Sequence, residues 1–169
     1  ATGSDWQIPE IPGLNAISYH TPKTIFNLKR PPKTIFIVGA GAMALELAHV
    51  FSTLGTKVYV AEKSSRILST FDPEVSALVT NDAKNRNISI LARTKIIAIQ
   101  KSSIQKRVTF LQGRIEKSVR VDEILIADQQ LPATDLGLEN AGVKYTENGI
   151  LVNSYLQTSA RHIFAAGNV

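Results

Sequence analysis

The sequence predicts an α/β fold, a three-layer domain with a parallel sheet, crossover helices and an antiparallel β-meander. Three observations carry this expectation. Thr34-Ile35-Phe36-Ile37-Val38 is an unbroken apolar, β-branched run, which suits a strand covered on both faces. A glycine-rich turn, a run of helix formers and a second apolar run follow it by residue 61, which makes a strand–helix–strand unit. Further on, β-rich runs at 95–101, 106–112 and 115–121 are separated only by Ser102-Ser103 and Gly113-Arg114, the spacing of a meander.

Taken in order, residues 4–33 carry five of the seven prolines and read as an extended linker wrapping the domain. Residues 42–54 are rich in Ala, Leu, Met and Glu and predict a helix, with Gly55 as its stop. Lys57 to Ala61 predicts the second strand. Asp72-Pro73-Glu74 opens another helix, with an N-cap, proline at the first helical position and an acid in the first turn; it is expected to run to about Arg86. Ile88 to Leu91 is a third strand, so strands and helices alternate as in a parallel sheet. After the meander, Val121 to Ala127 predicts another buried strand. Asn148-Gly149 marks a turn before 150–152, and 162–166 predicts a last strand. The expected division is a linker at 1–33 and a nucleotide-binding domain at 34–169.

Composition narrows the function classes. The 169 residues, 44% hydrophobic and 20% charged, suit a globular domain with a real core. There is no cysteine, which excludes disulfides, thiolate chemistry and Cys-based metal sites within these residues. The net charge is +5, but its lysines and arginines are spread along the chain without a basic block. That reads as a solvated basic surface, with no nucleic-acid partner expected. Two glycines, Glu46 and His49 interrupt the longest apolar region, 35–51, so no membrane span is expected. The first residues have no signal-peptide pattern, and without an initiator methionine the start reads as a cut within a longer chain. His20, His49 and His162 are scattered and read as structural or surface residues, with no metal site expected.

The chemistry concentrates in Val38-Gly39-Ala40-Gly41-Ala42-Met43-Ala44-Leu45-Glu46. A pyrophosphate at a strand-to-helix turn needs a tight bend, close backbone approach and close helix–strand packing, and a G-x-G-x-x-[GA] pattern supplies them in that order. Gly39 and Gly41 fill the first two places and Ala44 the third. The backbone N–H groups of residues 40–44 and the positive helix end would receive the anion. Glu62 follows at the end of the next strand, where a carboxylate accepts hydrogen bonds from both ribose hydroxyls. A 2′-phosphate would repel it, so NAD is expected over NADP. Lys63 and Arg66 stand close enough to blur that preference. The unit reads as a Rossmann-like nucleotide site.

With its two ends added, the chain resembles the central pyridine-nucleotide domain of the FAD-dependent flavoprotein disulfide reductases: dihydrolipoamide dehydrogenase, mercuric reductase and glutathione reductase. Ala1-Thr2-Gly3-Ser4 is similar to the segment by which the family's chain leaves its FAD domain, and Ile8-Pro9-Glu10-Ile11-Pro12-Gly13 to its P-x-x-P-G linker. Val38 to Glu46 resembles VGGGYIGLE. Thr158-Ser159-Ala160 through Ala165-Ala166-Gly167-Asn168-Val169 resembles the stretch that re-enters the FAD domain. The resemblance implies that Gly39, Gly41 and Ala44 hold the pyrophosphate and Glu62 the adenosine ribose, with Ala40, Ala42, Met43 and Lys63 also among the cofactor-binding residues. It places Ile96 near the adenine and Glu46 and Gln129 toward the nicotinamide. Thr2, Gly3 and Asn168 would lie beside FAD. It further implies FAD in the full-length protein, FAD and dimerisation domains from the same longer chain, a homodimer, a cytoplasmic location, and a redox cysteine pair upstream. These residues alone would not be catalytic.

The chain departs from the family pattern at several positions. Ala42 stands where a tyrosine often gates the nicotinamide. Ala127-Asp128-Gln129-Gln130 stands for A-T-G-R, so Gln129 replaces a glycine and Gln130 an arginine. Asn168 replaces an aspartate. These changes keep a second reading open, a structural or interaction module of the same fold that has lost nucleotide binding. A third, that Gly39 to Glu62 binds FAD, fits the same pyrophosphate logic but not the family-like ends.

Overall fold

The computed structural model, which describes residues 2–169, divides into two compact units. The larger is Ile8–Asp128, and the smaller joins the residues up to Gln7 to Gln129–Val169. The division falls at 7/8 and 128/129, where the sequence reading placed it at 33/34. Ala1, the first residue of the ATGS match, lies outside the described residues.

The smaller unit opens with β1 (Ser4–Trp6). The larger contains β2 (Thr34–Val38), α1 (Ala42–Thr53), β3 (Lys57–Ala61), α2 (Pro73–Lys84), β4 (Ile88–Leu91), β5 (Thr94–Ser102), β6 (Gln105–Gln112), β7 (Ile115–Val121) and β8 (Glu123–Ile126). The expected strands and helices of 34–126 thus form, with ends shifted by a few residues.

The main sheet has the order β4-β3-β2-β8 and is parallel throughout. Because the chain steps outward from β2 through β3 to β4 and then returns to the other side of β2, the β2/β8 junction is the topological switch point. In open α/β sheets ligands bind outside the carboxyl ends of the strands there. Alternate side chains of β2 serve opposite faces. Phe36 and Val38 join Ile124, Ile126, Val108 and Phe110 in one buried cluster, which glues the β5-β6-β7 meander to the sheet. Ile35 and Ile37, also fully buried, point to the opposite side, where α1 packs on β2, β3 and β4 and buries Ala44, Leu47, Ala48 and Phe51. Each such large apolar side chain contributes about 1.5–3 kcal/mol on burial. The result is the three-layer arrangement expected: helices, parallel sheet, meander.

Residues 8–33 wrap as expected, but they are also part of the core. Leu14 and Ile25 are buried, and the Ile99 N–H donates to the Pro12 carbonyl at 2.8 Å. His20 donates its N–H to Ile124 and accepts from Ile126, both at 2.8 Å, so it covers the open edge of β8. Asp72 occupies the N-cap of α2 without a side-chain capping bond.

In the smaller unit β1 pairs antiparallel with β9 (Gln130–Pro132), and β10 (Tyr145–Thr146) pairs with β11 (Gly149–Ile150) across the expected Asn148-Gly149 turn. The strand expected at 162–166 is a correction. That stretch makes a single bridge, Gln157 to Phe164. The Ile163 N–H bonds back to Ala160 at 2.8 Å, a turn that leaves no extended run to build a ladder. An apolar, β-branched stretch becomes a strand only beside a paired neighbour.

At the amino ends of β2 and β8 a polar knot ties three elements together. The Asp122 carboxylate accepts the Thr34 N–H at 2.9 Å, the Thr34 hydroxyl at 3.0 Å and the Gln105 amide at 3.0 Å. Beside it the Lys106 ammonium bonds the Glu123 carboxylate and the Asp122 carbonyl. Burial raises the Asp122 pKa, but hydrogen bonds from the Gln105 and Thr34 side chains and from the Thr34 and Lys33 backbones outweigh it, so the group titrates below the ordinary aspartate range. A depressed folded-state pKa stabilises the fold above the unfolded value, and that contribution is lost as pH falls through the folded one. Asp122→Asn is therefore expected to cost about 1 kcal/mol at neutral pH, and the gap to wild type is expected to close as pH falls below about 4. Urea denaturation at pH 7, 4 and 3 measures this; a gap that stays constant with pH rejects the assignment.

Candidate nucleotide site

The site is built at the switch point by a turn that only glycine accommodates. Gly39 follows β2 at φ +101°. A Cβ added there would sit 2.4 Å from the Asp128 Cα, 2.6 Å from the Ala127 carbonyl oxygen and 2.7 Å from the Asp128 nitrogen. The Gly39 N–H donates to Ala61, and the Ala127 N–H donates to Val38, both at 2.9 Å, which locks the turn between the ends of β3 and β8. Gly41 behaves differently. It caps α1 with extended backbone, and a Cβ there would meet nothing within 4 Å. The first turn of α1 holds no acidic side chain and its N-cap makes no side-chain hydrogen bond. The leading N–H groups of the helix are thus left to another partner, beside open space and at the positive end of a 12-residue helix. That donor set fits a pyrophosphate.

Glu62 directly follows β3, buried, with its N–H on the Leu91 carbonyl and its carbonyl receiving the Thr94 N–H at 2.8 Å. One carboxylate oxygen accepts the Ser64 N–H at 2.7 Å, which fixes the side chain at the strand end. The loop beyond it is folded back on the glycine turn. The Leu68 N–H donates to the Ala40 carbonyl at 3.0 Å, and the Ser76 hydroxyl donates to Ile67 at 2.7 Å. The Arg66 guanidinium is spent on three backbone carbonyls of the same loop, Phe71 at 2.8 Å, Ser69 at 2.9 Å and Leu68 at 3.5 Å. Arg66 thus bridges three carbonyls of its own loop.

A cavity of about 380 Å³ opens at the carboxyl ends of the strands, within the range of ligand pockets. Gly39, Lys63 and Ile96 line it, as do Val38, Ala61 and Ile11, and Thr94, Lys95 and Asp128 complete the wall. The structure therefore gathers the glycine turn with Ile96, which lies next to a register irregularity in β5. It sets other expected residues apart. Ala42 and Glu46 line a separate apolar groove between α1 and α2, with Leu45, Val50, Leu68 and Phe71. Ala40 and Ala44 are buried, while Met43 is exposed. Thr2, Gly3, Gln129 and Asn168 belong to the smaller unit. There the Gln129 carbonyl accepts the Gln7 N–H at 2.8 Å, and the Gln130 amide bonds the Ser4 hydroxyl.

The sequence reading missed Asp128, Thr94, Lys95 and Ile11. Asp128 carried a signal, since it directly follows a buried parallel strand, where ligand crevices lie. Ile11 carried none, because its place depends on how the linker wraps. The missed aspartate is paired: Lys63 Nζ lies 3.2 Å from Asp128 Oδ2. Among the described residues no group of three or more His, Cys, Asp or Glu side chains gathers as a metal site, and no helix is long and apolar enough to cross a membrane.

Residues 1–169 match the family described as pyridine nucleotide-disulphide oxidoreductase. The chain belongs to that family. It is 33% identical to mercuric reductase of Staphylococcus aureus over 171 residues, covering 100% of this chain and 31% of the relative. It is 32% identical to dihydrolipoyl dehydrogenase of Acholeplasma laidlawii, covering 100% of this chain and 50% of that one. In structure it resembles the HOCl-induced flavoprotein disulfide reductase RclA from Escherichia coli, with a TM-score of 0.84 at 27% identity over 99% of this chain and 38% of that chain. The chain thus spans about a third of the length of the mercuric reductase it matches.

Gly39 and Gly41 are expected to respond oppositely to a methyl group. Gly39→Ala is expected to cost more than about 3 kcal/mol, because both its φ and the β8 backbone resist a Cβ. Gly41→Ala is expected to stay within about 1 kcal/mol of wild type. Equilibrium denaturation of the two variants distinguishes them, and equal costs would contradict this account of the turn.

Proposed function

We propose that this chain is the NAD(H)-binding domain of a flavoprotein disulfide reductase-like oxidoreductase. The observation that carries the reading is the uncapped N-terminus of α1 facing open space at Gly41, beside the β2/β8 switch point. Backbone N–H groups of residues 41–44 would bind the pyrophosphate, with Gly39 allowing the bend and Ala44 the close packing of α1. Glu62 would accept the ribose hydroxyls, and the wall formed by Thr94 and Ile96 would take the adenine end. Glu46, Ala42 and Gln129 remain the candidates for the nicotinamide side, and Thr2, Gly3 and Asn168 for contact with FAD in a longer protein. The dinucleotide supplies the hydride chemistry when bound, and in the longer protein FAD would be its acceptor; this domain binds and orients. With no cysteine in its 169 residues, the chain alone would not turn over a disulfide. A homodimer built through further domains and a cytoplasmic location belong to the same reading.

Selection of NAD over NADP rests on two side chains. Glu62 would set its carboxylate against a 2′-phosphate, and Arg66 is bonded to carbonyls of its own loop. The competing reading, a module that has lost nucleotide binding, is favoured by the Asp128 carboxylate in the wall of an anion pocket.

Isothermal titration decides between them. The chain is expected to bind NADH at millimolar concentration or tighter and NADPH about tenfold more weakly. Gly41→Val, which fills the open space at the helix end, is expected to weaken NADH at least tenfold while changing stability by about 1 kcal/mol or less. No NADH binding at millimolar concentration would establish the module reading instead.

A further inference from the structure

We propose that Asp128 is a specificity-determining residue of this pocket, holding Lys63 away from a 2′-phosphate and so selecting against NADP(H). The inference rests on the nucleotide-site reading above and deepens it.

The geometry starts from the sheet order. Lys63 leaves the carboxyl end of β3 and Asp128 the carboxyl end of β8, and β2 with its glycine turn lies between them. The two strands are two places apart in the sheet, about 10 Å. The 3.2 Å pair between Lys63 Nζ and Asp128 Oδ2 therefore runs across the turn at Gly39, and both residues line the same cavity. Lys63 directly follows Glu62, so its backbone stands at the ribose end of the site, yet its ammonium is drawn to the opposite side.

Three other cations stand near that end; Arg93, exposed, donates its backbone N–H to the Ser64 carbonyl at 2.9 Å but does not line the cavity. Arg66 is bound to three carbonyls. Lys95 lines the cavity but arises from β5, on the wall shared with Ile96. Lys63 is the cation of the cavity wall that Asp128 holds, and Asp128 competes for it with a 2′-phosphate at Glu62. The position of Asp128 is rigid, since its backbone abuts Gly39 and the preceding residue is hydrogen-bonded to Val38.

The magnitude is modest. Lys63 is 73% exposed in its side chain and Asp128 29%, so the pair is largely solvent-screened. Removing the aspartate charge frees the lysine and removes one repulsion from the phosphates. The repulsion affects both dinucleotides, whereas the freed lysine serves only the 2′-phosphate.

The experiment titrates NADH and NADPH into the full chain, wild type and Asp128→Asn, by calorimetry. The variant is expected to tighten NADPH about fivefold and NADH no more than about twofold. Adding Lys63→Met to Asp128→Asn is expected to cancel the NADPH gain. If Asp128→Asn fails to fold, Asp128→Thr carries the same expectation. Wild-type binding of NADH with an unchanged NADH-to-NADPH ratio in the variant overturns the proposal and leaves the nucleotide site standing. A gain that survives Lys63→Met also overturns it. No binding of either dinucleotide to any of these proteins overturns the nucleotide site, and this proposal with it.

Discussion

The contact between the turn after β2 and the end of β8 constrains the rest of the larger unit. Gly39 lies so close to Ala127 and Asp128 that no side chain fits between them. This approach sets the direction in which α1 leaves the sheet, and with it the direction of the helix N-terminus. It also fixes β8 as the neighbour of β2, which creates the switch point. Without it the strands could still be buried, but the uncapped helix end and the cavity at the strand termini would not share one location.

The surrounding elements secure that geometry from two sides. Below, Asp122 fastens the start of β2 to β8 and to the meander through Thr34 and Gln105. Above, the 64–71 loop folds back on Ala40 and is held by Arg66. Between the two lies the apolar cluster of Phe36, Val38, Phe110, Ile124 and Ile126. Polar anchors at both ends and apolar contacts in the middle hold the backbone at the point where the uncapped N-terminus of α1 begins.

The larger unit was legible to a high degree, because its signals are local. A β-branched run, a glycine turn, a proline at the first position of α2 and a meander with short turns each state their conformation over a few residues. The smaller unit was less legible. Residues 162–166 have strand-like composition, yet they find one bridging partner and fold back through Ala160. The expected site residues divide in the same way. Gly39, Lys63 and Ile96 meet in one cavity, whereas Ala42 and Glu46 face the groove between the helices. A motif written as one string wraps around a helix, and 3.6 residues per turn send its members to different sides.

By itself the sequence determined the order of strands and helices in the larger unit, the glycine turn, the acid after β3 and the family to which these features belong. All depend on neighbours in the chain. Only the tertiary structure decided that Asp128 stands in the cavity and reaches Lys63, that Arg66 is consumed by its own loop, and that Leu14 and Ile25 of the proline-rich segment are core. Those facts depend on which strand lies beside which. Side-chain partners separated by tens of residues are chosen by sheet order and packing, for which no short stretch of sequence carries the information.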